Sequence, residues 1–292
     1  MSGGNRDGVD LTWDEARATN LTNWNERVGI HVREYGLDAY RDDPARISHV
    51  VRTDLAALEG YLPGAVANLD VCHLQCHIGT DTISLARAGA ASVTGIDFSE
   101  PALAAAAAFA RDLGLDVTWI ESDVMDARAA VTARLGEDHA FDVVYTSIGT
   151  IGWLRDLDTW AEQVAALLKP GGTFYIRDGH PALMALDEEA EGLVTAYRYF
   201  PNGLAQQWEE ATSYVGTDTL ASPRTYEFPH SLAETLTAVM GAGLDIIGFD
   251  EGRTLPWRFS PAMEELADGD FAYPSPLDER IPLTFTLVAR KP

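Results

Sequence analysis

Two cysteines in 292 residues cannot build a disulfide framework, and Cys72 and Cys76 have no His or Cys partners at ligand spacing for a structural zinc site. They are expected as small buried residues of a reduced, cytosolic protein. Long apolar runs are missing too. No stretch approaches the roughly 20 residues that span a bilayer, and the opening MSGGNRDGVD lacks the apolar core of a secretory signal. Positive charge is also short, with 21 Lys and Arg against 45 Asp and Glu and a net charge of −24. Such a surface repels nucleic acid and anionic lipid, which both depend on a positive field. Neither is expected as a partner, and the plainer effect of the acidity is solubility.

What is present is a full-sized core. Hydrophobic residues make up 46% of the chain, enough for one or two domains. Residues 1–10 are Gly-rich and polar, and are expected to be disordered. Thr12-Trp13-Asp14-Glu15 fits a capping box that starts a helix toward Ile30, and a second helix is expected from Ile47 to Tyr61. Strands and helices then alternate. The expected strands are Asp70 to Leu74, Ser92 to Phe98, Val117 to Glu121, Phe141 to Ser147 and Thr173 to Arg177, with helices from Asp81 to Ala88, after the Ser99 cap, and from Leu157 to Leu168. This order predicts a parallel sheet with right-handed crossovers, a doubly wound α/β fold. The pattern pauses between Ala182 and Pro229 and resumes at a second capping box, Ser231-Leu232-Ala233-Glu234. The strands Leu244 to Phe249 and Ile281 to Arg290 are expected to pair antiparallel at the sheet's end. The domain reading is a helical cap over 1–69, a core over 70–181 and 230–292, and an insertion over 182–229 that serves as a substrate lid.

Ligands of open α/β sheets bind beyond the carboxyl ends of the strands, near the topological switch point. The turn after the first strand is Leu74-Gln75-Cys76-His77-Ile78-Gly79-Thr80-Asp81, and the second strand ends at Asp97 about 20 residues on, a spacing suited to a carboxylate that accepts both ribose hydroxyls of a nucleoside. A plain helix N-terminus is the competing explanation for Asp97. After the third strand, Asp123 is placed to accept from an adenine amino group while the Val124 N–H faces a ring nitrogen.

These segments, VCHLQCHIGTDTISLARAGA, VTGIDFS, ESDVMD, FDVVYTSIG and LLKPGGTFYIRDGHP, resemble in order the motifs of class I S-adenosylmethionine-dependent methyltransferases, in the branch that acts on small natural-product molecules. The resemblance covers residues 70–181 most closely. It implies a seven-stranded Rossmann-like sheet whose last strand runs antiparallel, with S-adenosylmethionine as cofactor and S-adenosylhomocysteine as product. It assigns the Gln75, His77 and Gly79 turn to the methionine portion, Asp97 to the ribose, Phe98 to the adenine face and Asp123 with Val124 to the adenine edge. Ser147 and Ile148 fall near the sulfonium. The helices ahead of the first strand become a cap that brings Trp24, Asn25 and His31 over the cofactor. The chain departs from the family's first motif: where an acidic residue and three glycines are usual, it has His73, Gln75, His77 and only Gly79. A side chain in place of glycine narrows the backbone's approach to a ligand.

Methyl transfer from a sulfonium is an in-line displacement, so alignment is the protein's main task, and a base is needed only where the acceptor must lose a proton. His180, at the end of the fifth strand, is the candidate base; its alternative is a hydrogen-bonded residue ahead of Pro181. The insertion offers Tyr197, Tyr199, Trp208, Glu210 and Tyr214, a set suited to a planar or cationic acceptor and equally able to bury the lid against the core. No metal set is assigned. The reading is a cytoplasmic enzyme of specialised metabolism that methylates a small aromatic or heterocyclic molecule, with homodimer formation left open. The alternatives are a nicotinamide-dependent oxidoreductase, which lacks its G-x-G-x-x-G here, and a noncatalytic protein that binds S-adenosylmethionine.

Overall fold

The computed structural model describes residues 5–146 and 148–292. Three helices come first: α1 (Trp13–Glu34), α2 (Asp38–Asp42) and α3 (His49–Leu58). The first capping box forms: the Thr12 hydroxyl accepts from the Glu15 backbone N–H, and the Glu15 carboxylate accepts from the Thr12 N–H. The alternation follows as β1 (Asp70–Leu74), α4 (Thr80–Arg87), β2 (Ser92–Asp97), α5 (Glu100–Asp112), β3 (Thr118–Glu121), α6 (Ala127–Leu135), β4 (Phe141–Thr146), α7 (Leu157–Leu167) and β5 (Leu168–Gly179). Ser99 caps α5 through the Ala102 N–H. Beyond β5 come a helical turn α8 (Pro181–Met184), a hairpin of β6 (Gln206–Glu209) and β7 (Arg224–Glu227), and α9 (Leu232–Gly241) behind the second capping box. The chain closes with β8 (Asp245–Gly252), the short ladder β9 (Glu264–Glu265) and β10 (Phe271–Ala272), and β11 (Thr284–Arg290).

The main sheet has seven strands in the order β3-β2-β1-β4-β5-β11-β8. Its first five strands are parallel, and β11 runs antiparallel to both its neighbours. This is the seven-stranded, mostly parallel sheet with an antiparallel last strand that the sequence motifs imply. The chain's last strand enters between β5 and β8, which leaves β8 at the edge. Both faces are covered. On one face Val131, Trp160, Val164 and Val239 pack against Ile96, Val144, Ile176 and Leu287. On the other, Val51, Leu58 and Leu85 meet Val71, Val143, Tyr145, Tyr175 and Val288. A buried polar knot pins α3 to that second face. Asp54 pairs with Arg177 and accepts from the hydroxyls of Tyr145 and Tyr175, the latter at 2.9 Å.

Two expectations are corrected. The opening segment was expected to be disordered, yet over residues 5–9 it lies along the hairpin: the Asn5 N–H donates to the Gln207 carbonyl at 2.8 Å, and Val9 bridges Ala205. Val9 and Leu11 supply the reason, packing beside Ala16 and Phe228. Residues 1–4 lie outside the described residues. The stretch 182–229 was expected to pause the regular structure, yet it contains α8 and the β6–β7 hairpin. That hairpin is held by α1. Asn20 donates its side-chain amide to the Tyr226 carbonyl and accepts from the Tyr226 N–H, both at 2.8 Å, and so serves the free edge of β7 as another strand would. Asn23 donates to Ser222 O at 2.7 Å, and Glu26 accepts from the Ser222 N–H and hydroxyl. Among the described residues no helix is long and apolar enough to cross a membrane.

Candidate functional site

At the switch point between β1 and β4, the loops after β1, β2, β3 and β4 open into a cleft of about 180 Å³. Its floor is the Gln75–Gly79 turn. Gln75, His77 and Gly79 all take left-handed φ angles, of 56°, 47° and 75°. The backbone path that glycines usually permit is thus kept, with two side chains in place at a cost of about 1–2 kcal/mol each. Gly79 has no such freedom to change: a Cβ there would stand 2.5 Å from the Trp119 ring and 2.9 Å from Ala106.

Asp97 ends β2 on the cleft wall, 6% exposed. It accepts from the His77 N–H at 2.8 Å and the Ser99 N–H at 2.9 Å, while burial pushes its carboxyl up to about 6. Phe98, Val124 and Ile148 also line the cleft. Ser147 lies outside the described residues. Asp123 lines the cleft with its carboxylate already engaged: Oδ1 accepts from the Met125 N–H at 3.0 Å, and Oδ2 is paired with Arg17 of α1. The loop after β4 is gathered by Asp178 at the end of β5. That buried carboxylate accepts from the backbone N–H of Gly149, Thr150, Ile151 and Gly179 and from the Thr150 hydroxyl, at 2.6–3.0 Å.

The roof is α1. Trp13, Arg17, Asn20, Trp24 and Tyr35 all line the cleft from one helix face, and Arg27 and His31 fall on the same stripe. Trp24 stands edge-on to His77 at 5.2 Å and to Trp153 at 5.3 Å. The Tyr35 hydroxyl meets that of Tyr214, which reaches the cleft from the insertion.

Of the residues singled out from the sequence, the cleft gathers Trp24, Gln75, His77, Asp97, Phe98, Asp123, Val124 and Ile148 with Tyr214, while Gly79 belongs to the turn between the lining residues Ile78 and Thr80 without lining the cleft itself. His180 does not line it. Its Nδ1 accepts from the Ala182 N–H at 3.1 Å, capping α8, and its Nε2 lies 3.0 Å from Glu251. Tyr197, Trp208, Glu210 and Tyr199 also stand off the cleft. Tyr197 packs on Trp208, whose indole N–H donates to Glu227 at 3.1 Å; Glu210 pairs with Arg27; and the Tyr199 hydroxyl accepts from the Leu232 N–H at 3.4 Å. Sequence reasoning missed Arg17, Asn20, Tyr35, Trp153 and Asp178. The i, i+4, i+7 repeat of polar and aromatic residues along α1 was the available signal, and it marks a buried face that is not apolar.

Comparison with known proteins follows the same geometry. Residues 72–174 match a family model described as a methyltransferase domain. A ubiquinone biosynthesis O-methyltransferase of Chelativorans sp. (strain BNC1) is 27% identical over 171 residues, 57% of this chain and 63% of that protein. The chain thus spans less than two thirds of that curated relative's length. Among solved structures, an S-adenosylmethionine-dependent methyltransferase from Listeria monocytogenes aligns with a TM-score of 0.57 at 18% identity, covering 83% of this chain and 98% of that one. The 1,6-didemethyltoxoflavin-N1-methyltransferase of Burkholderia thailandensis, solved with 1,6-didemethyltoxoflavin and S-adenosylhomocysteine, aligns with a TM-score of 0.53 at 17% identity over 97% of this chain and 93% of its own. The strand order and the antiparallel last strand give this chain the fold of these S-adenosylmethionine-dependent methyltransferase structures, and residues 72–174 carry the match to a methyltransferase domain.

Proposed function

We propose that the chain binds S-adenosylmethionine in the cleft and transfers its methyl group to a small organic acceptor, releasing S-adenosylhomocysteine. The observation that carries this reading is Asp97: a buried carboxylate at the carboxyl end of β2, on the wall of a cleft at the switch point. The residues present suit the cofactor at a second point. Gln75 donates its amide N–H to Thr150 O at 3.1 Å, while its Oε1 is buried without a partner. A buried acceptor of this kind calls for a donor, and an α-ammonium supplies one.

When bound, the sulfonium supplies an activated methyl group. The chain's own residues hold and align. Asp97 would accept from the ribose hydroxyls, Phe98 and Val124 would flank the adenine, and Asp123 would share its carboxylate between Arg17 and the adenine edge. Asp178 keeps the β4 loop in one shape beside the reacting centre, and α1 shields the cleft from water. The rings that reach the cleft, Trp24, Trp153, Tyr35 and Tyr214, favour a planar aromatic or heterocyclic acceptor. In this reading His180 is structural. A cytoplasmic setting is supported by the two free, buried cysteines, a role in specialised metabolism by this aromatic lining, and the absence of nucleic-acid and membrane partners by the −24 net charge.

Calorimetry with S-adenosylhomocysteine is the direct test, followed by methyl-transfer assays across a panel of small aromatic and heterocyclic metabolites. Binding with a micromolar or tighter Kd is expected. A protein that ignores this ligand but binds NADH would return the fold to the oxidoreductase alternative.

A further inference from the structure

Between the insertion and the cleft runs a continuous chain of polar side chains. Arg27 of α1 donates from Nε to Asn23 at 2.7 Å, and its two terminal nitrogens reach Glu210 at 3.2 Å and the Ser213 hydroxyl at 3.5 Å. Ser213 Oγ lies 2.7 Å from His31 Nε2, and His31 Nδ1 lies 2.6 Å from His77 Nε2. Beyond the Arg27–Asn23 contact within α1, these contacts join the insertion, the roof helix and the cofactor loop. His77 alone of these side chains lines the cleft.

A guanidinium has only donors, so the Ser213 oxygen turns a lone pair toward Arg27, and one of the two proton orders then open to the chain gives the Ser213 proton to His31 Nε2. A neutral His31 then carries its proton on Nδ1 and donates it to His77 Nε2. A neutral His77 has its proton on Nδ1, the nitrogen that remains for a ligand. Both rings stay neutral near pH 7, because burial and the Arg27 charge push their basicity down, that of His31 to about 3.

Resting on the cofactor reading above, we infer that Arg27, Ser213 and His31 are positioning residues that hold the His77 proton on Nδ1, so that its ring presents an N–H donor to the carboxylate of an amino-acid-type ligand in the cleft. The insertion thereby acts on the cofactor loop, which no contact of its own with the ligand would require. The arrangement also gives His77 a reason to replace glycine: the side chain supplies a donor that a bare backbone turn does not.

The test compares two probes, S-adenosylhomocysteine and 5′-methylthioadenosine, which lacks the amino-acid end. Ser213→Ala removes the link between Arg27 and His31 with little change in shape. It should weaken S-adenosylhomocysteine about 3- to 10-fold, the worth of one oriented hydrogen bond, and leave 5′-methylthioadenosine within 2-fold (roughly the scatter of one weak contact). Ser213→Thr, which keeps the hydroxyl, should restore the loss. In the wild type, nitrogen-15 shifts of the histidine rings should show a protonated Nδ1 and a bare Nε2 on both His31 and His77. A proton on Nε2 of His77, or equal losses for both probes, overturns the inference. If the wild type binds neither probe, the functional reading fails and the ligand half of the inference with it, while the ring shifts still decide the proton order.

Discussion

Asp97 is held near 6 by burial, against about 3.9 for an ordinary aspartate. Its raised value means that the folded protein takes up a proton there as pH falls through about 6. The ionised form accepts both ribose hydroxyls through charge-assisted bonds, which the protonated form cannot match. S-adenosylhomocysteine affinity should therefore be flat above pH 7 and should drop below pH 6, as calorimetry across that range will read. Asp97→Asn should lower the affinity by about 1.5–3 kcal/mol and abolish the pH dependence; a pH limb that survives in this variant would place its origin elsewhere. A second residue-scale prediction concerns stability. Asp54 is fully buried and is the carboxylate that Arg177 and two tyrosine hydroxyls share. Asp54→Ala should cost about 3–5 kcal/mol in denaturant unfolding, because it strands a buried guanidinium.

The elements were legible in the sequence to different degrees. Both capping boxes, the Ser99 cap and the strand–helix alternation were visible, because each is a local rule about which residues start a helix or face a core. The contents of 182–229 were not. Gln206–Glu209 and Arg224–Glu227 are mostly polar, and what makes them strands is a helix almost two hundred residues earlier. For the same reason α1 declared its start but not its purpose: its buried face carries Asn20, Asn23, Arg27 and His31, so apolar periodicity says little about where it packs. Of the site, the strand-end carboxylates Asp97 and Asp123 were readable from spacing. His180 was misplaced on the same logic, since position at a strand end does not tell which way the chain turns next.

This arrangement makes the hairpin depend on α1. Asn20→Ala leaves the Tyr226 N–H and C=O without their partner, at about 1–3 kcal/mol for each group that stays buried. Hydrogen exchange should then show lost protection across 206–227 while the amides of β1 and β4 are unchanged. Equal loss in all of these strands would mean that the hairpin and the sheet unfold as one unit. Replacing 182–229 by a Gly-Ser linker should weaken S-adenosylhomocysteine as well as abolish turnover, since it removes the contacts that hold the roof in place.

Across the whole molecule the buried acids and bases pull stability in opposite directions with pH. Burial raises Glu188 to about 7 and Glu227 to about 8, each further lifted by Glu210. Both keep protons in the folded state that the unfolded chain has released above about 4.5, so their contribution to stability should fall as pH climbs from about 4.5 to 8. His31 and His73 are driven down to about 3, and His77 is lowered too. These stay neutral when folded and take up protons when unfolded, so stability should be lost as pH drops below about 6.5. The melting temperature should peak on the slightly acid side of neutrality, and Glu227→Gln should flatten the alkaline limb. A Tm that rises steadily to pH 8.5 would contradict this balance.

The roof has one more consequence, for the pace of the proposed reaction. Trp13, Arg17, Asn20, Trp24 and Tyr35 cover the cleft along the length of α1, and the insertion is tied to that same helix. In the proposed reaction the expected route for spent cofactor to leave is a joint movement of helix and hairpin, a bulky displacement against the drag of the solvent. Turnover should accordingly slow in step with added sucrose or glycerol, and the first cycle should outrun those that follow. Such an enzyme would be timed by friction at its lid, with the carbon–sulfur bond broken well before the products depart.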